Sequence, residues 1–466
     1  MTASGTFTLD TESLDILRAA VEKLEGGFAG LPPVTADPAA SDGAAMQEMQ
    51  AVLFEAARRL ADNFPYFHPL YAGQMLKPPH PVARLAYALA MWINPNNHAL
   101  DGGRASSAME KEAVAGIARM FGWAADAHLG HLCGGGTMAN LEALWVAGQL
   151  HPGKTVVASS QAHYTHGRIG GVLGLPFEEV PCDARGRLDA GALARRIARG
   201  GVGTVVATMG TPATGSVDPL PEILALRERH GFRVHADAAY GGYFGLADNL
   251  GAPARRAFER IGEADSIVID PHKHGLQPYG CGCVLFRDPS VGRLYKHDSP
   301  YTYFSSTQLH LGEISLECSR PGASAVALWA TMRLLPLERG REFAKRLSAS
   351  RAAALALHAK LAADARFLPA FDPELDIVVW AVRARRVSEA SALARRVFGE
   401  TARRGLHLAL AELPVGFFDL AGARVERDRD TVTCLRSVLM KPEHREWLDR
   451  IWEILDASAG AAMGSA

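Results

Sequence analysis

What this chain lacks narrows it first. Its six cysteines, Cys133, Cys182, Cys281, Cys283, Cys318 and Cys434, form no CxxC pair and are scattered through 466 residues. That scatter predicts reduced, mostly buried thiols in a cytoplasmic protein. Cys281-Gly282-Cys283 alternates along a predicted strand, so small residues packing on a sheet are favoured there over a redox or metal site. An excess of either charge is missing too: 49 Lys and Arg stand against 50 Asp and Glu, for a net charge of -1. Nothing in that balance calls for nucleic acid, and no polybasic segment calls for a membrane surface. The longest uncharged apolar-rich runs, such as Leu85 to Ile93, are too short to span a bilayer. Met1 to Asp10 has no basic region followed by an apolar run, so no secretory signal is expected. There is no internal repeat, and no low-complexity segment beyond an Ala/Arg bias.

What is present is ordinary for a globular chain, 48% hydrophobic and 21% charged, at a length that calls for two or three domains. Residues 11–63 carry two helical patterns separated by a Gly/Pro/Ala/Ser-rich loop at Gly26 to Asp42. They predict an N-terminal helical arm, residues 1–75, that needs another surface to cover. Val82 to Ile93 reads as a helix, and Asn94 to Ser107 as a polar, glycine-bearing loop. From residue 131 to 290, short β-branched runs alternate with helical patterns. Thr155 to Ala158, Thr204 to Thr208, Phe232 to Ala236, Ser266 to Ile269 and Gly282 to Phe286 read as strands. That alternation predicts an α/β fold with a mostly parallel central sheet flanked by helices, in a large domain over residues 76–335. A long helix from Leu337 then leads to a small α/β C-terminal domain, 336–466, with strands at Asp376 to Val382 and Thr431 to Met440.

Ligands of parallel sheets sit beyond the C-terminal strand ends. Four features fall at such ends or at helix starts. Gly134-Gly135-Gly136-Thr137 directly precedes a helix, where freed backbone N–H groups can cradle an anion. By itself this is equally a cap with a tight turn. His163 follows one strand and can stack on a flat ring. Asp237, in His235-Ala236-Asp237-Ala238-Ala239-Tyr240, is a carboxylate at a buried strand end that needs a partner, and the small alanines would let a flat ring approach. Lys273, in Asp270-Pro271-His272-Lys273-His274-Gly275, is an amine just past a strand end. Alone it is as readily a solvated loop lysine as an imine-forming nucleophile. An anion nest, a stacking ring, a carboxylate and a lysine are together what pyridoxal phosphate requires.

The chain resembles the fold-type I, pyridoxal-phosphate-dependent group II amino-acid decarboxylases, which include aromatic amino acid, glutamate, tyrosine and histidine decarboxylases. The stretches that carry the resemblance are GGGTMANLEAL at Gly134 to Leu144, AHYTHGRIGGVLGL at Ala162 to Leu175, GTPATGSVDPL at Gly210 to Leu220, HADAAYGG at His235 to Gly242 and DPHKHG at Asp270 to Gly275. The resemblance implies the PLP-dependent transferase fold and a homodimer with sites at its interface. It implies Lys273 as the lysine that binds the cofactor, with His272 beside it. Asp237 would face the pyridine nitrogen, with Ala239 under the ring and His163 on the ring's other face. Gly135, Gly136 and Thr137 would hold the phosphate, with Asp270 near it. The sequence departs from the family at Gly134, where a serine is usual, and at Pro212, where a threonine is usual. Thr211 or Thr214 would then supply the hydroxyl near the cofactor.

The resemblance also places a proton-donating tyrosine on a loop beyond the lysine, where Tyr301 and Tyr303 stand; His163 is the other candidate donor. His98 and Arg104, on the loop read at 94–107, would line the substrate pocket, the arginine meeting a carboxylate or, equally, lying at the surface or a subunit interface. The implied reaction is decarboxylation of an L-amino acid, aromatic by the likeness to tyrosine decarboxylases around Pro278-Tyr279, with an acidic substrate as the alternative. Ser319-Arg320-Pro321-Gly322 is similar to sphingosine-phosphate lyases as well, which keeps a PLP-dependent carbon–carbon lyase open, and an aminotransferase beside it.

Overall fold

A computed structural model describes residues 9–32, 43–124, 127–296 and 309–464. Its centre is a sheet built from β1 (Leu129–Cys133), β2 (Thr155–Ser159), β3 (Phe177–Val180), β4 (Val202–Thr208), β5 (Arg233–Asp237), β6 (Ser266–Ile269) and β7 (Gly282–Phe286). The strand order is β1-β7-β6-β5-β4-β2-β3. The run from β6 to β3 is parallel, whereas β7 pairs antiparallel with both β6 and β1. Helices Thr165–Leu173, Ala190–Ile197, Leu220–His230 and Ala252–Glu259 fill the crossovers. The Val/Ile-rich strands β2, β4 and β6 are buried nearly end to end, as strands covered on both faces must be.

The strands read from sequence are all found. The two strands of this sheet that were not read are its edges: β3 carries exposed Glu178 and Glu179, and β1 carries Gly130 and His131, so neither shows an apolar run. The predicted loop at 94–107 is half helix. Leu100–Met120 is one helix, kinked at Gly103, where a Cβ would come within 2.7 Å of both Asn97 Oδ1 and Ser106 Oγ. The glycine pair that reads as loop is what lets the helix pack against the preceding asparagines.

The C-terminal unit is an antiparallel sheet of β8 (Phe367–Pro369), β9 (Ile377–Val382), β10 (Ala409–Pro414) and β11 (Thr431–Val438), in the order β10-β11-β9-β8. Helices Val387–Arg403 and Leu448–Gly464 pack with it around fully buried Trp380. A strap after the arm is stitched to this unit: Ala72 N donates to His407 O at 2.9 Å and Val438 N to Ala72 O at 2.7 Å. The arm helices Leu14–Gly26 and Gly43–Leu60 bury no residue, and Leu14, Ile16, Met46, Met49, Val52, Leu53 and Phe54 are all exposed. Among the described residues no helix is long and apolar enough to cross a membrane.

Candidate active site

The C-terminal ends of β5 and β6, the segment after β2 and the start of helix Gly136–Leu150 meet at one cavity of about 480 Å³, within the range of small-molecule sites. Gly135 sits at the helix cap with φ +141°, a conformation few residues but glycine adopt. A Cβ on Gly136 would lie 2.7 Å from Asp270 Oδ2, and one on Gly282 would lie 2.5 Å from Gly135 Cα. The glycines therefore serve backbone approach, and Cys281 and Cys283 beside Gly282 are free, buried thiols on or beside β7. The result is a helix N-terminus opening into the cavity, a cradle suited to a phosphate.

Lys273 enters from the turn after β6. Its Nζ lies 3.0 Å from Asp270 Oδ2, and its backbone N donates to Asp270 O at 2.9 Å. The other Asp270 oxygen, Oδ1, is buried with no hydrogen-bond partner. His272 Nδ1 faces Cys281 O at 2.9 Å, and burial holds this ring below the ordinary histidine range. His274 is turned the other way, into the core. Its Nε2 lies 3.2 Å from Asp376 Oδ2, at the mouth of β9, and Tyr240 OH donates to Asp376 Oδ1 at 2.5 Å.

Asp237 ends β5 and is 5% exposed. Its Oδ2 accepts from His166 Nε2 at 2.9 Å and from Asn140 Nδ2 at 3.4 Å, and its Oδ1 accepts from Ala239 N at 3.1 Å. Burial pushes this carboxyl up, but the His166 hydrogen bond and the neighbouring positive groups outweigh burial and hold it below the usual carboxylate range. His163 Nδ1 accepts from Thr165 N at 3.2 Å and from Thr165 Oγ1, which puts the neutral ring's proton on Nε2. Its ring stacks on Tyr164 at 4.6 Å, and burial lowers its pKa. Ala239, His163, Asp237 and Lys273 all line the cavity, as do Gly135, Gly136, Thr137, Asp270 and His272.

The same four residues also border a second cavity, of about 380 Å³, walled by Met75, Pro212, Ala213, Leu410 and Ala411 with Gln74 and Arg436. Arg436 had no role in the sequence reading. Its guanidinium donates to Pro212 O at 2.7 Å, Ala213 O at 2.9 Å and Gly73 O at 3.1 Å, tying the strap and the 210–214 loop to β11. His166 and Asn140 were also missed. The available signal was spacing: His166 follows His163 by three residues at a helix start, so the two share a face.

Three expected site residues stand apart from these two cavities. Thr211 does not reach either cavity; its Oγ1 lies 2.8 Å from Thr214 Oγ1 and accepts from Ser216 N at 3.0 Å, because the loop closes on itself. Thr208 lines the second cavity instead. Arg104 is exposed on helix Leu100–Met120, and His98 packs against Gly312, so neither is among the residues lining these two cavities. The cause is the buried knot behind them, where Asn97 Nδ2 donates to Glu110 at 2.6 Å and Glu110 pairs with Arg320. Tyr301 and Tyr303 lie outside the described residues.

Comparison with known proteins gives the cavity its context. The family described as pyridoxal-dependent decarboxylase conserved domain matches residues 145–383. The chain is 29% identical over 413 residues to the L-tyrosine decarboxylase of Enterococcus faecium, covering 64% of this chain and 67% of that one. It is 30% identical over 280 residues to a probable L-tyrosine/L-aspartate decarboxylase of Methanothermobacter thermautotrophicus, covering 59% and 74%. The fold is similar to Oryza sativa TDC with PLP and tryptamine, at a TM-score of 0.77 and 18% identity, covering 98% of this chain and 100% of that one. The cavity agrees with that cofactor on its own evidence: a glycine-lined helix N-terminus, a carboxylate held ionised, a flat alanine wall and an amine all open into one space. The chain thus belongs to the pyridoxal-dependent decarboxylase family and is a pyridoxal 5'-phosphate-dependent amino-acid decarboxylase, a carboxy-lyase.

Proposed function

We propose that this enzyme decarboxylates an aromatic L-amino acid, with tyrosine the leading candidate, to the amine and carbon dioxide. The observation that carries the reading is the convergence of Lys273, Asp237, Ala239 and His163 on two adjoining cavities. Bound PLP supplies an electron sink for the substrate carbon that loses its carboxylate. Lys273 Nζ would be the amine that holds the cofactor's aldehyde, and Asp270 at 3.0 Å holds that amine at the cavity wall. Asp237, kept ionised, would favour a proton on the cofactor's ring nitrogen. Ala239 and His163, which both line the cavity, would pack on the cofactor ring. Gly135, Gly136 and Thr137 receive the phosphate at the helix N-terminus, with Asp270 and His272 beside it. His163 Nε2–H is a proton donor of this chain at the ring face, and Tyr301 or Tyr303 remains the other candidate.

The aromatic preference rests on the second cavity. Its walls at Met75, Pro212, Ala213, Leu410 and Ala411 are apolar, and Arg436 already spends donors on three carbonyls. An acidic substrate is the second reading, because the Arg436 guanidinium does line that cavity and relatives named for aspartate exist. Homodimer formation belongs to the same proposal: two arm helices that bury no residue, with seven large apolar side chains exposed on them, need a second copy to cover them. Release of carbon dioxide across a panel of the standard amino acids tests the assignment. Release from tyrosine ahead of aspartate and glutamate is expected. Release from aspartate alone would replace the aromatic reading by the acidic one. Aldehyde or keto-acid formation without carbon dioxide would overturn both.

A further inference from the structure

Behind Asp237 lies a chain of buried polar groups that the reaction does not touch. Asn140 Nδ2 donates to Asp237, and Asn140 Oδ1 faces His235 Nε2 at 2.7 Å. His235 Nδ1 in turn lies 2.8 Å from Ser266 Oγ. All of these residues are buried, as is His166. The amide fixes the direction of the whole row. Its nitrogen can only donate, so its oxygen must accept from His235 Nε2–H, and His235 Nδ1 must accept from the Ser266 hydroxyl. Every proton in the row therefore points toward Asp237. Burial holds His235 neutral, down to about 3, so the row does not reverse near neutral pH.

The carboxylate then has a definite vacancy. Oδ2 accepts twice, from His166 and Asn140, while Oδ1 accepts once, from Ala239 N. One acceptor position remains, on Oδ1, and Asp237 lines both cavities. We infer that His166 and the Asn140–His235–Ser266 row are positioning residues that saturate one oxygen of Asp237 and present the other to the cofactor's ring nitrogen, so that they set cofactor affinity and the ring's protonation. This rests on the assignment of Asp237 as the ring's partner. The titratable groups facing Asp237 are His166 and His163 at the start of helix Thr165–Leu173, His235 on β5 itself and Lys273 after β6.

The test uses full-length apoprotein titrated with PLP, reading the dissociation constant by tryptophan fluorescence and the pH dependence of the bound cofactor's visible absorbance. His166→Phe removes a hydrogen bond to a charged group, so PLP should bind about tenfold more weakly or worse, with the absorbance titration displaced. His166→Gln, which keeps an N–H in reach, should recover affinity to within about threefold of wild type. Asn140→Leu should behave like His166→Phe. Ser266→Ala adds no volume and should give a smaller loss in the same direction, so it decides the matter if the larger changes fail to fold. Circular dichroism and the unfolding midpoint of each apoprotein establish folding. Folded His166→Phe, Asn140→Leu and Ser266→Ala proteins that bind within about twofold of wild type, with unmoved absorbance profiles, would overturn the inference. Wild-type protein that takes up no PLP, or Asp237→Ala that binds as wild type does, would instead remove the assignment beneath it.

Discussion

His235 should make the apoprotein acid-sensitive in a way one substitution removes. It is 1% exposed, and burial first, then the neighbouring His166, lowers its pKa from 6.5 to about 3. An unfolded chain binds a proton at this residue below about pH 6.5, whereas the folded chain does not until far lower. The unfolded state thus holds more protons across that window, and the stabilisation present above it is lost as pH falls. The slope is about 1.36 kcal/mol per pH unit per withheld proton, so one histidine costs about 1.4 kcal/mol between roughly pH 7.5 and 5.5. His444, also buried and lowered to about 3, adds a second contribution of that size. His235→Gln keeps a donor for Asn140 Oδ1 and cannot titrate. Equilibrium unfolding in urea at both pH values, at one protein concentration, should show the variant losing about 1.4 kcal/mol less than wild type on acidification. Equal losses would mean that His235 is protonated in the fold, and that the polarity assigned to the row behind Asp237 is wrong.

Other consequences follow from packing. Gly136→Ala forces a methyl to 2.7 Å from Asp270 Oδ2, and overpacking of about 1–3 kcal/mol should appear as weaker PLP binding in a fluorescence titration. Asp376→Ala strips the shared partner from buried Tyr240 and His274, and breaking such a pair should cost about 3–5 kcal/mol in urea unfolding. Arg436→Lys gives up the planar fork that reaches Pro212 O and Ala213 O, and should raise KM more than it lowers kcat in carbon dioxide release. Deleting residues 1–60 removes the exposed apolar helices, and sedimentation should then find a monomer where the full chain is expected to sediment as a homodimer.

The parts of the site that could be read in the sequence are those whose chemistry is local. Gly134 to Thr137 announce a helix N-terminus because glycine run and helix start are adjacent in the chain. Asp237 and Lys273 stand out because each follows a β-branched run directly, and a parallel sheet brings such ends together whatever lies between them. The misreadings have the opposite character. Asn94 to Ser107 carries glycines, a proline and asparagines, all turn formers, and only the packing of Gly103 against Asn97 and Ser106 makes its second half helical. His98 and Arg104 were assigned with that loop, and they stand outside the two cavities described above.

The same distinction separates reaction from substrate in this protein. The groups proposed to hold the cofactor lie between residues 134 and 273 and sit at strand ends and a helix start around one cavity. The second cavity is assembled from Gln74 and Met75 on the strap, Pro212 and Ala213 after β4, and Leu410, Ala411 and Arg436 on β10 and β11. Its shape therefore depends on how the small antiparallel sheet docks against the large one, through bonds such as that from Arg436 to Pro212 across 224 residues of chain. Replacing Pro212 by threonine would add a hydroxyl at this wall without removing the carbonyl that Arg436 uses. Substrate choice in this enzyme should thus be more easily altered from the small domain and the 212–213 loop than from the motif that carries Lys273. A Lys273-side substitution such as His274→Leu should change stability through Asp376 before it changes the order of preferred amino acids.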